Sequence, residues 1–442
     1  MDNIVNDISK QGNNRKIESL EMSQENGHPC RHSFTGNKDP STRNKLKLTL
    51  LDLPPEVILH ILAFLDARFT LCILCQVCKT FYHLLCSEAS WKTRFAKRWP
   101  HRDRKEDYGY VASWKKVCVE HEDMDKFWRN PGEDLQFFQL KQHFAPVDAV
   151  LIMAGGRLCV SGSRDRSIGI WDLTKLTEEE PQKAFKQSLD GHKGWVWSLA
   201  CDPMGESRLC SGSWDNSVKV WDLRGSIVEM TSIREHRAAV LCMEWKQDVL
   251  VTGCYDKHVR MFDLRDSNRV IAKLKYHSRP VLCLTVDDHF IVSGSEDKTM
   301  CVYDRRACSL LKTIQLASPA FSMCHSLRTG YNYLRVGGRA GNIYLIDVTN
   351  EAYNPVESSI DLELGPKGKI NGICHYGGAV VASSSDHSIK ILEPSQVPTE
   401  ICSLNRHTGD VASVNSCSGV LASASSDLSV GIWRPKSWNL FV

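Results

Sequence analysis

The residues here that could do chemistry are serine, histidine and aspartate, and they come in sets. One set is His192, Ser211, Asp215 and Trp221. A hydroxyl, an imidazole and a carboxylate held together could make an activated nucleophile, as in many hydrolases. The set recurs as His236, Thr252 and Asp256, and again as His277, Ser293 and Asp297. His143 with Asp165, and His407 with Asp427, repeat its imidazole and carboxylate members. A catalyst needs one preorganised site, not several copies. A constellation that repeats is a structural network, in which a buried carboxylate and imidazole satisfy each other. No catalytic residue is assigned.

Cys72, Cys75 and Cys78 stand three apart, superficially like iron–sulfur ligands. The fourth cysteine of the short cluster motif is missing. The three fall in a predicted helix, where this spacing keeps them near one face. Packing is the expectation, and no metal is implied. There is no GxxxxGK phosphate loop and no HExxH pair, so no cofactor is implied and neither ATP nor zinc hydrolysis has support.

The elements that carry the repeated sets are themselves repeated. SGSRDRSIGIWD (Ser161 to Asp172), SGSWDNSVKVWD, TGCYDKHVRMFD and SGSEDKTMCVYD share one phrase. It continues, weaker, as VGGRAGNIYLID, ASSSDHSIKILE and SASSDLSVGIWR. The fifth position of the phrase falls at 165, 215, 256, 297, 340, 386 and 427. A charged insertion, Thr174 to Gln187, lengthens the first interval. Each phrase reads as strand, tight turn and strand. Small residues end one strand, the Asp bonds its own backbone in the turn, and alternating apolar residues form the next. Upstream, a His stands four residues before an apolar strand opener, as in His192/Val196 and His277/Val281. The fifth and sixth repeats have Ala317 and Pro366 there.

Seven such units resemble the WD-repeat β-propeller, from about residue 135 to the end. The last repeat stops soon after Trp433 and lacks a fourth strand. Leu135 to Leu140 is predicted to pair onto it as the outer strand and close the ring. The resemblance implies that His192, Ser211, Asp215, Trp221, His236, Asp256, His277 and Asp297 form hydrogen-bond networks at the blade turns. Repeats five and six lack the full set and are expected to be softer.

Composition agrees with an intracellular binding protein. The 442 residues imply two or three domains, 42% are hydrophobic, and the formal net charge is +3. No dense basic block suggests nucleic acid. The longest early apolar run, Val57 to Leu65, is too short to span a bilayer, and no signal-peptide core opens the chain. The 18 cysteines include strand-centred Cys159, Cys242 and Cys283, which suits buried free thiols in a reducing compartment, cytoplasm or nucleus. Residues 1–45 are polar and read as a disordered leader.

Before the repeats, the period becomes helical. LPPEVILHILAFL (Leu53 to Leu65) has prolines placed to start a helix and an apolar stripe wider than a small unit can bury. Asp66 is a cap for a second helix, Phe81 to Cys86 forms a third, and Ser90 is a candidate cap for a fourth carrying Trp91 and Phe95. Residues 48–95 resemble an F-box, and 96–130 read as a helical linker into the 135–442 propeller. All-α helices ahead of an all-β propeller is the layout of the F-box/WD-repeat family. That resemblance implies a substrate receptor of a Skp1–cullin–F-box ubiquitin ligase, itself non-catalytic. Skp1 would dock on Leu53, Pro54, Val57, Ile58, Leu59, Ile61, Leu62, Leu65, Leu74 and Val77, and would bring cullin and RING subunits. The alternative is a WD-repeat scaffold with no ligase role.

Propellers bind partners near the mouth of the channel, where the residue before each turn Asp should point. These candidates are Arg164, Trp214, Tyr255, Glu296, Arg339, Ser385 and Ser426, with Trp195 and Arg279 at strand entries. The two arginines before the turn lie on separate repeats with Glu296 between them in order, which argues against a phosphate-reading cluster. A pocket lined by Trp195, Trp214 and Tyr255 is expected to bind a protein substrate.

Overall fold

Prolines and short polar side chains set the helix boundaries in the N-terminal part of the fold. Pro55 occupies the first position of helix α1 (Pro55–Leu62), where its missing N–H costs nothing. Asp66 accepts a hydrogen bond from the Phe69 amide at 2.8 Å and so caps α2 (Ala67–Phe69). That helix runs through a π turn (Thr70–Leu74) into α3 (Cys75–Val77). The Cys78 thiol caps α4 (Lys79–Cys86), accepting from Phe81 N–H at 3.5 Å. Helix α5 (Glu88–Arg98) begins earlier than the Ser90 cap predicted. Ser87 holds the cap position with no side-chain bond, and Glu88 brings a carboxylate to the positive helix end. These helices close around Ile58, Leu62, Phe81, Leu85, Trp91 and Phe95.

The computed structural model describes residues 50–99, 113–129, 135–203, 207–265, 269–325, 333–348, 351–356, 368–376, 379–393 and 398–436. The leader at 1–45, Tyr110 and Pro366 lie outside them. Leu53 onward forms one unit.

Helix α6 (Trp114–Arg129) joins the two parts of that unit. Its 16 residues make a rod about 24 Å long. Cys118 is buried among the F-box helices, with Trp114 and Val117 packed beside it. At the far end Trp128 is buried in a propeller core with Val381 and Trp433. Its ring meets Tyr376 edge-on, with centroids 5.4 Å apart.

The propeller is seven four-stranded antiparallel sheets. Their innermost strands are Val147–Met153, Val196–Cys201, Val240–Lys246, Val281–Val286, Ser322–His325, Ile370–Tyr376 and Val411–Cys417. Blades one to seven are named in that order. Blade seven takes its outer strand, Leu135–Lys141, from the start of the ring, in register from Leu135 opposite Pro435 to Lys141 opposite Ser429. The closure buries Phe138 and Leu140. Arg434 clamps the seam by donating to the carbonyls of Leu173 and Leu176 at 3.0 and 2.8 Å.

The small residues before each turn have a packing reason. A Cβ added to Gly253 would lie 2.7 Å from Val281 Cγ1 of the next blade. The residue after the turn Asp takes a positive φ, as at Asn216 (66°) and Lys257 (72°), while blade five uses Gly341 (80°). The described cysteines are free thiols. No described helix is long and apolar enough to cross a membrane.

Candidate functional site

The repeated Ser–His–Asp sets are chains of hydrogen bonds with no reachable nucleophile. In blade two His192 Nδ1 meets Asp215 at 2.9 Å, and His192 Nε2 meets Ser211 Oγ at 2.8 Å. Trp221 Nε1–H donates to the same Ser211 oxygen at 2.9 Å. A neutral imidazole satisfies this order: it donates to the carboxylate and accepts from the hydroxyl. The hydroxyl oxygen is thereby engaged on both sides, and Ser211 is wholly buried. Blade one repeats the chain with His143, Asp165, Ser161 and Trp171. Blade seven keeps His407 with Asp427 and Ser423. In blade four, with Tyr303 at the indole position, His277 lies 3.3 Å from Asp297 and 2.9 Å from Ser293. Burial alone would raise the Asp297 carboxyl, but bonds from Thr299 and the Ser278 amide hold it at about 2.

Blade three departs from this pattern. Its turn has His258 where blades one, two, four, six and seven have a hydroxyl that donates to the Asp, such as Ser217 at 2.6 Å. Arg260 fills the gap, reaching Asp256 at 2.6 and 3.0 Å and His236 Nδ1 at 3.1 Å. Burial and the adjacent guanidinium push His236 down to about 3. His236, Cys254 and Asp256 are close enough to suggest a metal site. The Arg260 charge already holds the place a cation would take, so these residues do not fit one.

The Cys72, Cys75 and Cys78 triplet separates by environment. Cys72 is exposed, Cys75 packs against the F-box core, and Cys78 is the helix cap already described. In blade five Ser318 Oγ meets Tyr344 OH at 2.9 Å in place of the His–Asp pair. In blade six Asp386 accepts from Ser388 Oγ of its own turn at 2.5 Å.

The channel mouth gathers part of the candidate set. Arg164, Trp214 and Tyr255 line a pocket of about 320 Å³. The Trp214 ring is tilted against those of Trp195 and Tyr255, with centroids 5.3 and 6.3 Å away. Arg164 is already engaged. Asp148 grips it at 2.9 and 3.0 Å, and its guanidinium lies 5.1 Å from the Trp195 ring and 5.4 Å from Trp197. Trp195, expected to line the pocket, stands beside Trp214 instead and is not a lining residue; Arg279, Glu296 and Arg339 are not lining residues either, and Arg279 and Glu296 form an exposed ion pair at 3.8 Å.

Sequence reading missed the pocket floor. The residue after the inner-strand opener faces it in all blades but the fifth. In blades two to four these are Trp197, Leu241 and Leu282, and in blades six, seven and one they are Asn371, Ala412 and Asp148; blade five contributes Phe321, just before its inner strand. One side of the mouth is apolar and the other polar. Lys369 and Asp410 join the polar side from the position just before the opener, the position Trp195 holds in blade two. The Lys369 ammonium lies 3.9 Å over the Phe321 ring. Burial lowers its pKa, and the Asp410 charge offsets this only in part.

The F-box residues divide by burial. Ile58 and Leu62 are buried in the module's own core and are unavailable to a partner in this conformation, which corrects their assignment to adaptor contact. A helix stripe shows that a face is apolar but not which residues the module covers itself. Leu53 and Leu74 pack against that core, Leu59 is half-buried, and Pro54 is exposed. Val57, Ile61 and Leu65 are exposed, and Val77 is 63% exposed. Phe64, Phe69, Ile73 and Tyr82 were missed, and they too are exposed. Phe69, Ile73 and Val77 are four apart, a row legible in the sequence.

Comparison with known proteins agrees with both halves. Residues 50–97 match the F-box-like family, and 135–172, 183–222, 228–263 and 268–304 match the WD domain, G-beta repeat. The chain is 36% identical over 397 residues to F-box/WD repeat-containing protein 9 of Bos taurus, covering 87% of this chain and 82% of that one. The Homo sapiens protein of the same name is 36% identical over 394 residues, with the same coverage. This chain belongs to the F-box/WD-repeat family. F-box/WD repeat-containing protein mec-15 of Caenorhabditis elegans is 27% identical over 43% of this chain and 48% of its own. The matched WD stretches end with blade four. Blades five to seven of this F-box/WD-repeat protein complete the ring with weaker repeat phrases.

Proposed function

We propose that this chain is the substrate-recognition subunit of a Skp1–cullin–F-box ubiquitin ligase. The reading is carried by the uncovered apolar row Phe69, Ile73 and Val77, which faces solvent although the helical module has a complete core of its own. Apolar surface of this kind marks a docking site. Skp1 docks there and on Val57 and Ile61, and brings the cullin and RING subunits. The channel mouth holds a protein substrate. Ubiquitin transfer belongs to other subunits, and this chain is a non-catalytic adaptor. Such a complex works inside the cell, in cytoplasm or nucleus.

Affinity purification of the full chain tests the reading. The wild type should retain Skp1 and cullin. Ile73→Asp and Val77→Asp should lose both while keeping the propeller's melting temperature. Trp214→Ala should keep both and lose substrate. A wild type that retains no adaptor would instead be a WD-repeat scaffold without a ligase role.

A further inference from the structure

The channel mouth has two halves of different chemistry, and one group in it lacks a counterpart. Leu241, Leu282 and Phe321 floor the apolar half, and Trp214 and Tyr255 stand above them, 41% and 52% exposed. Two cations line the pocket. Arg164 is neutralised by its two-bonded contact with Asp148. Lys369 has no carboxylate within ion-pair distance among the described residues; its ammonium rests on the Phe321 ring. A half-buried ammonium without an anion is costly, and a carboxylate brought by a ligand removes that cost while desolvating the pair. Asp410 is too distant to form the pair and is itself exposed, 3.6 Å from His387.

We infer that the mouth recognises a peptide segment carrying an acidic side chain close to a bulky apolar one: the carboxylate pairs with Lys369 and the apolar group packs on Trp214 and Tyr255. The two contacts are complementary in charge and in surface. The apolar group supplies buried area at the centre, and the carboxylate fixes the direction in which the peptide lies. Basic peptides are disfavoured, because Arg164 already lies over the Trp195 and Trp197 rings and Lys369 would repel a second cation. Phosphate reading is not favoured either, since the second rim arginine, Arg339, is not a lining residue.

The inference rests on the channel mouth being the substrate site, but its test does not need the ligase. A display library of random twelve-residue peptides is panned on the full-length chain, and one enriched peptide is synthesised for titration. The expected pool carries Asp or Glu within a few residues of Leu, Ile, Phe or Trp. The synthesised peptide should bind Lys369→Met and Trp214→Ala at least tenfold more weakly, while Lys369→Arg retains most of the affinity. Unchanged melting temperatures show that these variants fold. A basic pool, a purely apolar pool, no enrichment, or an affinity that ignores Lys369→Met overturns the proposal. Retention of Skp1 is read separately on the same preparations. Peptide binding without Skp1 defeats the ligase reading and leaves this one standing.

Discussion

The Arg94 guanidinium and the Glu122 carboxylate meet at 2.7 Å with both side chains sealed from solvent. Arg94 also donates to the carbonyls of Leu62 and Leu65, and Glu122 accepts from the Ala67 amide at 2.7 Å. One ion pair thus gathers the end of α1, the start of α2, α5 and α6. Removing one partner leaves the other charge buried and unmatched. Glu122→Ala should cost about 3–5 kcal/mol in the helical module. Hydrogen exchange should rise across 55–98 and stay unchanged in the blades. Equal protection in the variant would show that the pair is not what holds α6 to the F-box.

Trp128 makes the corresponding attachment at the propeller end. It is buried, yet its indole N–H has no hydrogen-bond partner among the described residues. The ring is therefore needed and the nitrogen is not. Trp128→Phe should lie within about 1 kcal/mol of wild type, because removing an unsatisfied buried donor offsets the lost area. Trp128→Ala should cost about 3–5 kcal/mol. Small-angle scattering should show the alanine variant with a larger radius of gyration and the phenylalanine variant unchanged.

His236 makes stability depend on pH. Its folded-state pKa of about 3 lies below the ordinary value of 6.5. The unfolded chain then binds a proton first as pH falls, so the neutral histidine's contribution is complete above about 6.5 and is lost progressively as pH drops toward 3. Glu244 works in the opposite sense. Burial lifts its carboxyl to about 7, so its contribution is present at low pH and lost as pH rises. The comparison is therefore best made between variants. Denaturant unfolding of wild type and His236→Gln at pH 7.5 and 5.5 should show their stability difference shrinking by about 1.4 kcal/mol at the lower pH.

Gly253 separates close approach between blades from mere smallness. A methyl group there would meet Cys242 Sγ at 2.4 Å and Val281 Cγ1 at 2.7 Å. Gly253→Ala should cost about 1–3 kcal/mol, seen as a lower melting temperature. Blade seven carries Ala424 at the equivalent position, so Ala424→Gly should gain nothing.

The ring was readable because its signals repeat in register: a small residue, a turn Asp and alternating apolar residues. The strand that closes it was readable because the last repeat falls one short. The helix starting at Glu88 was not, since a first-turn carboxylate replaces the side-chain cap that Ser90 suggested. Arg260 was hidden because its role depends on what His258 fails to donate. The pocket floor was legible in principle. Leu241 and Leu282 hold one fixed place in their repeats, but alternating apolar residues read as sheet interior until the sheets are arranged radially. Lys369 shares the repeat position of Trp195, yet nothing in its own blade's phrase sets it apart from a surface lysine.

The pairing of Leu135–Lys141 with the strand that ends at Pro435 also sets a schedule for synthesis. The first propeller strand leaves the ribosome about 300 residues before its partner, a wait of tens of seconds at ordinary elongation rates. During that wait Phe138 and Leu140 belong to an unpaired edge, and Trp128 has no blade six to enter. The core of the helical module is made by residues 53–119 alone. Under the proposed function, a message truncated within the last blade would release a product that still occupies Skp1 but has no finished platform, and that competes with the intact protein rather than simply being missing.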